Sequence, residues 1–395
     1  MRIGFLGVWL ILQGIAAVGQ VSSPAPLQPA SKLDRPGSAS RSPREIKHVA
    51  EAQIPVTSLD FKPKGPITGT GASQAFVLPV LCSPRGIPYV SFIDQKSFGV
   101  QTVSSLDPKG GRQFSITSIP GLYDPVFGAD SVSDSMVVML VNGTKDRTKA
   151  PNSVSLGPGM PSKAVFTGEH RNYVAEFDSS GGFKELLELS ADYHFWRIGL
   201  LPDDSILALA YDRPNAVPKL LLLDSDAQLV RSIEIPSDLQ NSPALVEGRS
   251  GDISKQAPAE SSISWWLFAP VRGKILLYQA HTKLPILEVG AGGVVREVPL
   301  EIPKDFVIDT IIPSEDRWII RVRRENLSDK TEIDARPEAK NYVLYEVDPS
   351  DGHLRRELSV SSGPLFSIAC EQGGTFTAFG IDGDKVNLFT ADLAR

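Results

Sequence analysis

The run from Phe195 to Ile235 reads FWRIGLLPDDSILALAYDRPNAVPKLLLLDSDAQLVRSIEI. Its apolar stretches, Trp196–Leu201, Ile206–Tyr211, Leu220–Leu223 and Leu229–Ile235, are separated by Pro202-Asp203-Asp204, a Pro/Asn loop and Asp224-Ser225-Asp226. Short apolar runs bounded by Pro, Asp and Gly clusters predict four strands in an antiparallel meander. A meander whose strands are apolar on both faces cannot stand alone. It must stack against similar units on either side.

Such units recur along the chain. Turn residues followed at once by a strand-like run stand at Gly86, Asp134, Asp204, Gly273, Asp316 and Gly374. A second turn follows the third strand, as LDPKGG at Asp107, FDSSGG at Asp178, LDSDAQ at Asp224, VGAGG at Gly290 and VDPSDG at Asp348. Asp suits these places because its carboxylate binds the backbone two residues on, and Gly because it accepts positive φ. Before the first turn the pattern is apolar at alternate positions, with Trp196, Ile198 and Leu200 matched by Ile308, Thr310 and Ile312 and by Phe366, Ile368 and Cys370.

These repeats predict an all-β chain, a six-bladed β-propeller of four-stranded antiparallel blades. The last unit has only three strands, Leu365–Glu371, Thr375–Ile381 and Lys385–Ala391. The strand-like Val49–Phe61 is expected to supply its fourth, so that an N-terminal strand closes the ring and removes two open edges. The apolar strand, Asp-x-x-Gly turn and following strand resemble the six-bladed propellers of the NHL and TolB-like superfamily, over about residues 50–395. Some NHL-type propellers hold a metal on several channel histidines and act as lyases. Here only His194 among the five histidines opens an innermost strand, so that activity does not carry over.

The organisation expected is a signal peptide at 1–19, a Pro/Ser/Arg-rich linker at 20–48 and the propeller at 49–395. Met1–Gly19 has one Arg, an apolar run and the small-x-small site Ala17-Val18-Gly19, which predicts export to the periplasm or beyond, with no transmembrane segment in the mature chain. The linker carries Lys32, Arg35, Arg41, Arg44 and Lys47 against Asp34 and Glu45, so the body is more acidic than the overall −6. An acidic body argues against a nucleic-acid partner. The mature protein is expected to be a monomer.

No His or Cys spacing suits a metal, and the glycine pairs are not followed by a helix that could hold phosphate, so no metal and no cofactor is expected. The candidate ligand-binding set lies where innermost strands begin, at the channel mouth: Tyr123, Asp124, His194, Trp196, Arg197, Trp265, Trp266 and Asp309. Arg197 and Asp309 align seven residues before their turns. Aromatic platforms beside charges suit a glycan, a peptide or a small anionic ligand, or a protein presenting such groups, but the same side chains could simply fill the seams between blades. The long connections Asn142–Arg171, Pro236–Ser261 and Arg324–Lys340 fall on this face. The leading expectation is therefore a binding or scaffold module. The alternative is a hydrolase or lyase at the channel mouth using a divalent cation on Asp124 and Asp309.

Two further readings concern modification. Asn142-Gly143-Thr144 and Asn326-Leu327-Ser328 match the glycosylation pattern and fall in or beside expected loops. Cys82 and Cys370, each four residues before its aligned turn, are expected to be free buried thiols, because equivalent positions in neighbouring blades should stand too far apart to join.

Overall fold

The computed structural model describes residues 54–393, apart from 68–75, 95–98, 117–118, 126–129, 134–135, 149–151, 156–161, 166–168, 216, 236–265, 272, 315, 326–341, 363–367 and 383–384. Six antiparallel blades follow in order. Blade 1 is Phe76–Cys82, Pro88–Asp94, Gly99–Ser105 and Gln113–Ser115. In blade 2 the innermost strand is split into Leu122–Pro125 and Ser131–Val132, both paired with Met136–Thr144, and His170–Asp178 and Phe183–Glu188 complete it. Blade 3 is Tyr193–Leu200, Ile206–Asp212, Val217–Leu223 and Leu229–Ile233. Blade 4 is Trp266–Val271, Lys274–Gln279, Ile286–Gly290 and Val295–Val298. Blade 5 is Phe306–Pro313, Trp318–Arg324, Tyr342–Val347 and Leu354–Ser362; blade 6 begins with Ile368–Gln372, Thr375–Asp382 and Lys385–Asp392.

The core is the set of seams. One apolar cluster lies between each pair of consecutive blades, and a sixth joins blade 6 back to blade 1 through Ile67, Val90, Leu106, Cys370, Phe379 and Leu388. This explains why the middle strands are apolar on both faces. In Ile206–Asp212, Leu207 and Leu209 pack toward blade 4, while Ile206, Ala208 and Ala210 pack toward blade 2. Burying both faces of a strand leaves alternation no meaning as a polarity signal.

The turns behave as their residues require. Gly86, Asp204, Gly273 and Gly374, four of the six aligned turn positions, have positive φ; Asp134 lies outside the described residues. In the second set of turns, Asp107, Asp178, Asp224 and Asp348 each accept the N–H two residues on, at 2.7–3.0 Å.

An N-terminal strand does close blade 6, but it is not the segment expected. Lys62–Ile67 pairs antiparallel with Lys385–Asp392 as the outer strand. Within the predicted Val49–Phe61, Val56–Asp60 instead runs parallel to Leu354–Ser362 and gives blade 5 a fifth strand. Leu59 and Phe61 are buried between blades 5 and 6. One extended run thus laces two blades together. Lys62–Ile67, KPKGPI, escaped notice because an outermost strand has little to bury; only Ile67 in it is buried.

The thiol expectation is overturned. Cys82 and Cys370 form a disulfide with a Cα–Cα distance of 5.5 Å, tying the first blade to the last. Their equivalence was an artefact of aligning turns of unequal length. Cys82 is the last ladder residue before a five-residue turn, paired with Pro88. Cys370 is third from the end before a two-residue turn, where Gln372 pairs Thr375. The two strands are therefore offset, and the cysteines meet across the seam.

Asn142 is also not a loop acceptor. It sits in a central ladder opposite Asn172, whose amide it binds at 2.9 Å, and Thr144 is buried. Asn326 and most of the long connections 236–261 and 324–340 lie outside the described residues; the first long connection carries a small hairpin, Asn152–Ser155 with Ser162–Val165. No helix among the described residues is long and apolar enough to cross a membrane.

Candidate functional site at the channel mouth

A β-bulge interrupts the innermost strand in several blades. Tyr123, Trp196, Asp309 and Ala369 are each skipped by the ladder to the neighbouring strand. A bulge inserts one residue, bends the strand and re-aims a side chain, and bulges recur beside functional sites. Blade 4 has no such interruption. The bulges also correct the alignment. Trp196 lies four residues before the last ladder residue Leu200, and Asp309 four before Pro313. The structural counterpart of Asp309 is thus Trp196, and that of Arg197 is Thr310. The turn of blade 3 is one residue longer than that of blade 5, which shifted the match by one.

Asp309 is the centre of a charged group. Arg321 Nε donates to its Oδ2, and His281 Nε2 stands 3.9 Å from its Oδ1. Arg321 and Arg323 are both buried, two apart on one face of Trp318–Arg324, and Arg321 lies 5.9 Å from the Tyr342 ring centroid. His281 sits in the turn between the second and third strands of blade 4, with φ of 63°. Its N–H donates to Ile308 O at 2.6 Å, and Ile308 N–H donates to Thr282 O at 2.9 Å. Those two bonds hold a left-handed histidine against the start of blade 5, a strained conformation of the kind concentrated at working sites. Burial and the neighbouring Arg323 push its imidazole down to about 4, against the pull of Asp309, so it is neutral at pH 7.

A second group lies two blades back. Arg197 is 4% exposed and faces Asp130, which accepts Leu140 N–H at 2.8 Å. Burial drives Asp130 up to about 7, against the charge of Arg197. Burial likewise brings Arg197 down to about 10, against the charge of Asp130. Tyr278 of blade 4 is close enough to feel both Arg197 and Asp309, and its hydroxyl lies 3.4 Å from Thr310 Oγ1. Polar groups thus run from blade 2 to blade 5 through the inner layer.

The eight sequence candidates fall unevenly on this arrangement. His194 and Trp196 stack with ring centroids 5.1 Å apart. Arg197 and Asp309 belong to the two charged groups. Trp266 is 2% exposed and packs in the seam between blades 3 and 4. Tyr123 and Asp124 lie on the short strand Leu122–Pro125, and Trp265 is outside the described residues. Sequence reading missed Asp130, His281, Arg321 and Arg323. The arginines had a visible signal: WIIRVRR places two guanidinium groups inside an otherwise buried strand. The histidine had none, because it is recruited by backbone contacts between blades. A cation on Asp309 would have to displace Arg321 and would meet Arg323 nearby. Among the described residues, no group of three or more His, Cys, Asp or Glu could hold a metal ion.

No protein-family model matches the chain, and no curated protein matches it. Solved structures of related shape include a streptogramin B lyase, 11% identical over 84% of this chain and 98% of that chain, with a TM-score of 0.41. A GH74 enzyme of Niastella koreensis is 9% identical over 83% of this chain and 45% of its own, with a TM-score of 0.42. A mutant Trypanosoma rangeli sialidase with trans-sialidase activity is 11% identical over 84% of this chain and 58% of its own, with a TM-score of 0.39. Likenesses so distant say nothing of what this chain binds, and its architecture stands on its own ladders and seams: a six-bladed β-propeller.

Proposed function

We propose that this chain is an exported propeller that binds a peptide, glycan or protein ligand at its channel-mouth face. The observation that carries the reading is the pair of bulges that set Trp196 and Asp309 outside their ladders at the start of blades 3 and 5. Around them stand an aromatic pair, His194 and Trp196, and a charged group built on Asp309, Arg321, Arg323 and neutral His281. An aromatic surface beside a few fixed polar groups is the composition of sites that take sugars and peptides. The N-terminal apolar run ending at Ala17-Val18-Gly19 supports export, and the turn pattern supports kinship with NHL and TolB-like propellers.

An array of glycans and of short peptides capped at both ends, probed with the wild type and with Trp196→Ala and Asp309→Asn, tests this. At least one saturable ligand is expected, with affinity reduced tenfold or more in both variants while circular dichroism stays unchanged. Saturable binding that both variants retain in full sinks the reading.

A further inference from the structure

On the opposite face, where the first hairpin turns lie, residues of blades 5 and 6 line a cavity of about 580 Å³. Arg317, Arg356, Gly373, Gly374, Thr375 and Asp392 line it. Arg317 comes from the first turn of blade 5 and Arg356 from its fourth strand. Gly373 and Gly374 form the two-residue turn of blade 6, and a Cβ on either would meet nothing within 4 Å.

The charges are arranged in two layers. Behind the wall lies Glu346, 2% exposed, with Oε2 at 2.8 Å from Arg356 Nε and Oε1 at 4.0 Å from Arg317 Nη1. Arg317 also grips Asp316 through Nε and Nη2, at 3.2 and 2.7 Å. Among the described residues, neither Nη of Arg356 and no Nη1 contact of Arg317 finds an acceptor within hydrogen-bond distance. On the acidic side, Asp392 accepts Thr375 Oγ1 through Oδ1 at 2.7 Å. Glu371, 4% exposed, accepts Gly374 N–H through Oε1 at 2.7 Å; its Oε2 has no hydrogen-bond partner among the described residues. Its charge acts on Arg317.

These features constrain a ligand. Two guanidinium groups and one carboxylate, Asp392, line the wedge, while Glu346, Glu371 and Asp316 stand behind or beside the arginines; these described charges sum to a negative excess that disfavours a simple anion. Yet the N–H donors of the guanidinium forks that meet no acceptor among the described residues would face a simple cation with like charge. Guanidinium forks match carboxylates in geometry and charge, and a buried negative excess favours an ammonium. We propose that this wedge binds a small zwitterion, an α-amino acid or short peptide, with its carboxylate on Arg356 and Arg317 and its ammonium on Asp392. The volume lies in the range of pockets that enclose small molecules.

Calorimetric titration with alanyl-alanine tests the proposal, beside N-acetylalanine, which keeps only the carboxylate, and alaninamide, which keeps only the ammonium. One-site saturable binding of alanyl-alanine is expected, with both half-probes at least tenfold weaker. Arg356→Gln and Asp392→Asn should each weaken the dipeptide at least tenfold. Asp392 is exposed, so its variant folds normally and decides the matter even where Arg356→Gln, by uncovering Glu346, does not. No saturable binding of alanyl-alanine, a half-probe that binds equally well, or unchanged affinity in Asp392→Asn overturns it.

Discussion

Breaking the Cys82–Cys370 bridge should lower stability sharply without changing the fold. The bridge joins residues 288 apart in sequence and closes nearly the whole ring into one covalent loop. In the chain-entropy treatment, a loop of that length restricts the unfolded state by about 5.5 kcal/mol at 25 °C. Spread over the unfolding entropy of a domain of roughly 340 residues, this corresponds to a fall in Tm of about 8 °C. Measured bridges commonly deliver about half such values, so a fall of about 4–8 °C is expected. The assay is a thermal scan of the wild type with and without dithiothreitol, beside the Cys82→Ala/Cys370→Ala double variant. Reduction leaves both sulfur atoms in the seam, whereas the variant also loses packing at Cys370, which is fully buried. Reduced wild type should therefore fall between the oxidised protein and the variant. The double variant should not respond to reductant. An unchanged Tm on reduction, or two reactive thiols in the denatured, unreduced protein, would refute the reasoning.

Other consequences follow from single side chains. Leu59→Ala should cost about 2–5 kcal/mol in urea unfolding, because Leu59 is fully buried between blades 5 and 6 and anchors the lacing strand. A cost below 1 kcal/mol would mean that strand is not part of the core. Gly352→Ala should cost about 3 kcal/mol, since φ there is 80° and the new methyl would collide with Pro299 O; equal stability would contradict the described turn. His281 titrates near 4 when folded and near 6.5 when free, so the unfolded chain takes a proton first. Stability should fall as pH drops from about 6.5 to 4, by on the order of 2–3 kcal/mol, and His281→Asn should remove that slope from the difference curve. Asn also accepts the positive φ, so the variant should match or exceed the wild type at pH 7. Parallel pH curves would show that His281 is not held neutral.

The legible part of this fold was whatever burial writes directly into sequence. Middle strands such as Ile206–Asp212 and Lys274–Gln279 are buried on both faces and read as apolar runs, and Asp107, Asp178, Asp224 and Asp348 announced their turns through side-chain chemistry. Outer strands write much less. KPKGPI was passed over for the more apolar segment before it, although KPKGPI closes the ring. Register across blades was least legible, because turn length and bulges each move it by one or two residues without leaving a residue-type signature. That cost the Cys82–Cys370 bridge and set Arg197 opposite Asp309 where Trp196 belongs. Of the mouth, sequence found the aromatic and acidic members on the innermost strands, His194, Trp196 and Asp309. It missed His281 and Arg321, which reach the site from a turn and from a second strand.

Hydrogen exchange with and without the best ligand from the array tests the central claim, that the mouth of blades 3 to 5 is the binding face. Ligand should slow exchange at the bulged starts of Tyr193–Leu200 and Phe306–Pro313 and in the turn around His281. Protection confined to the opposite turns, at Ser314–Arg317 and Gly373–Thr375, would contradict it.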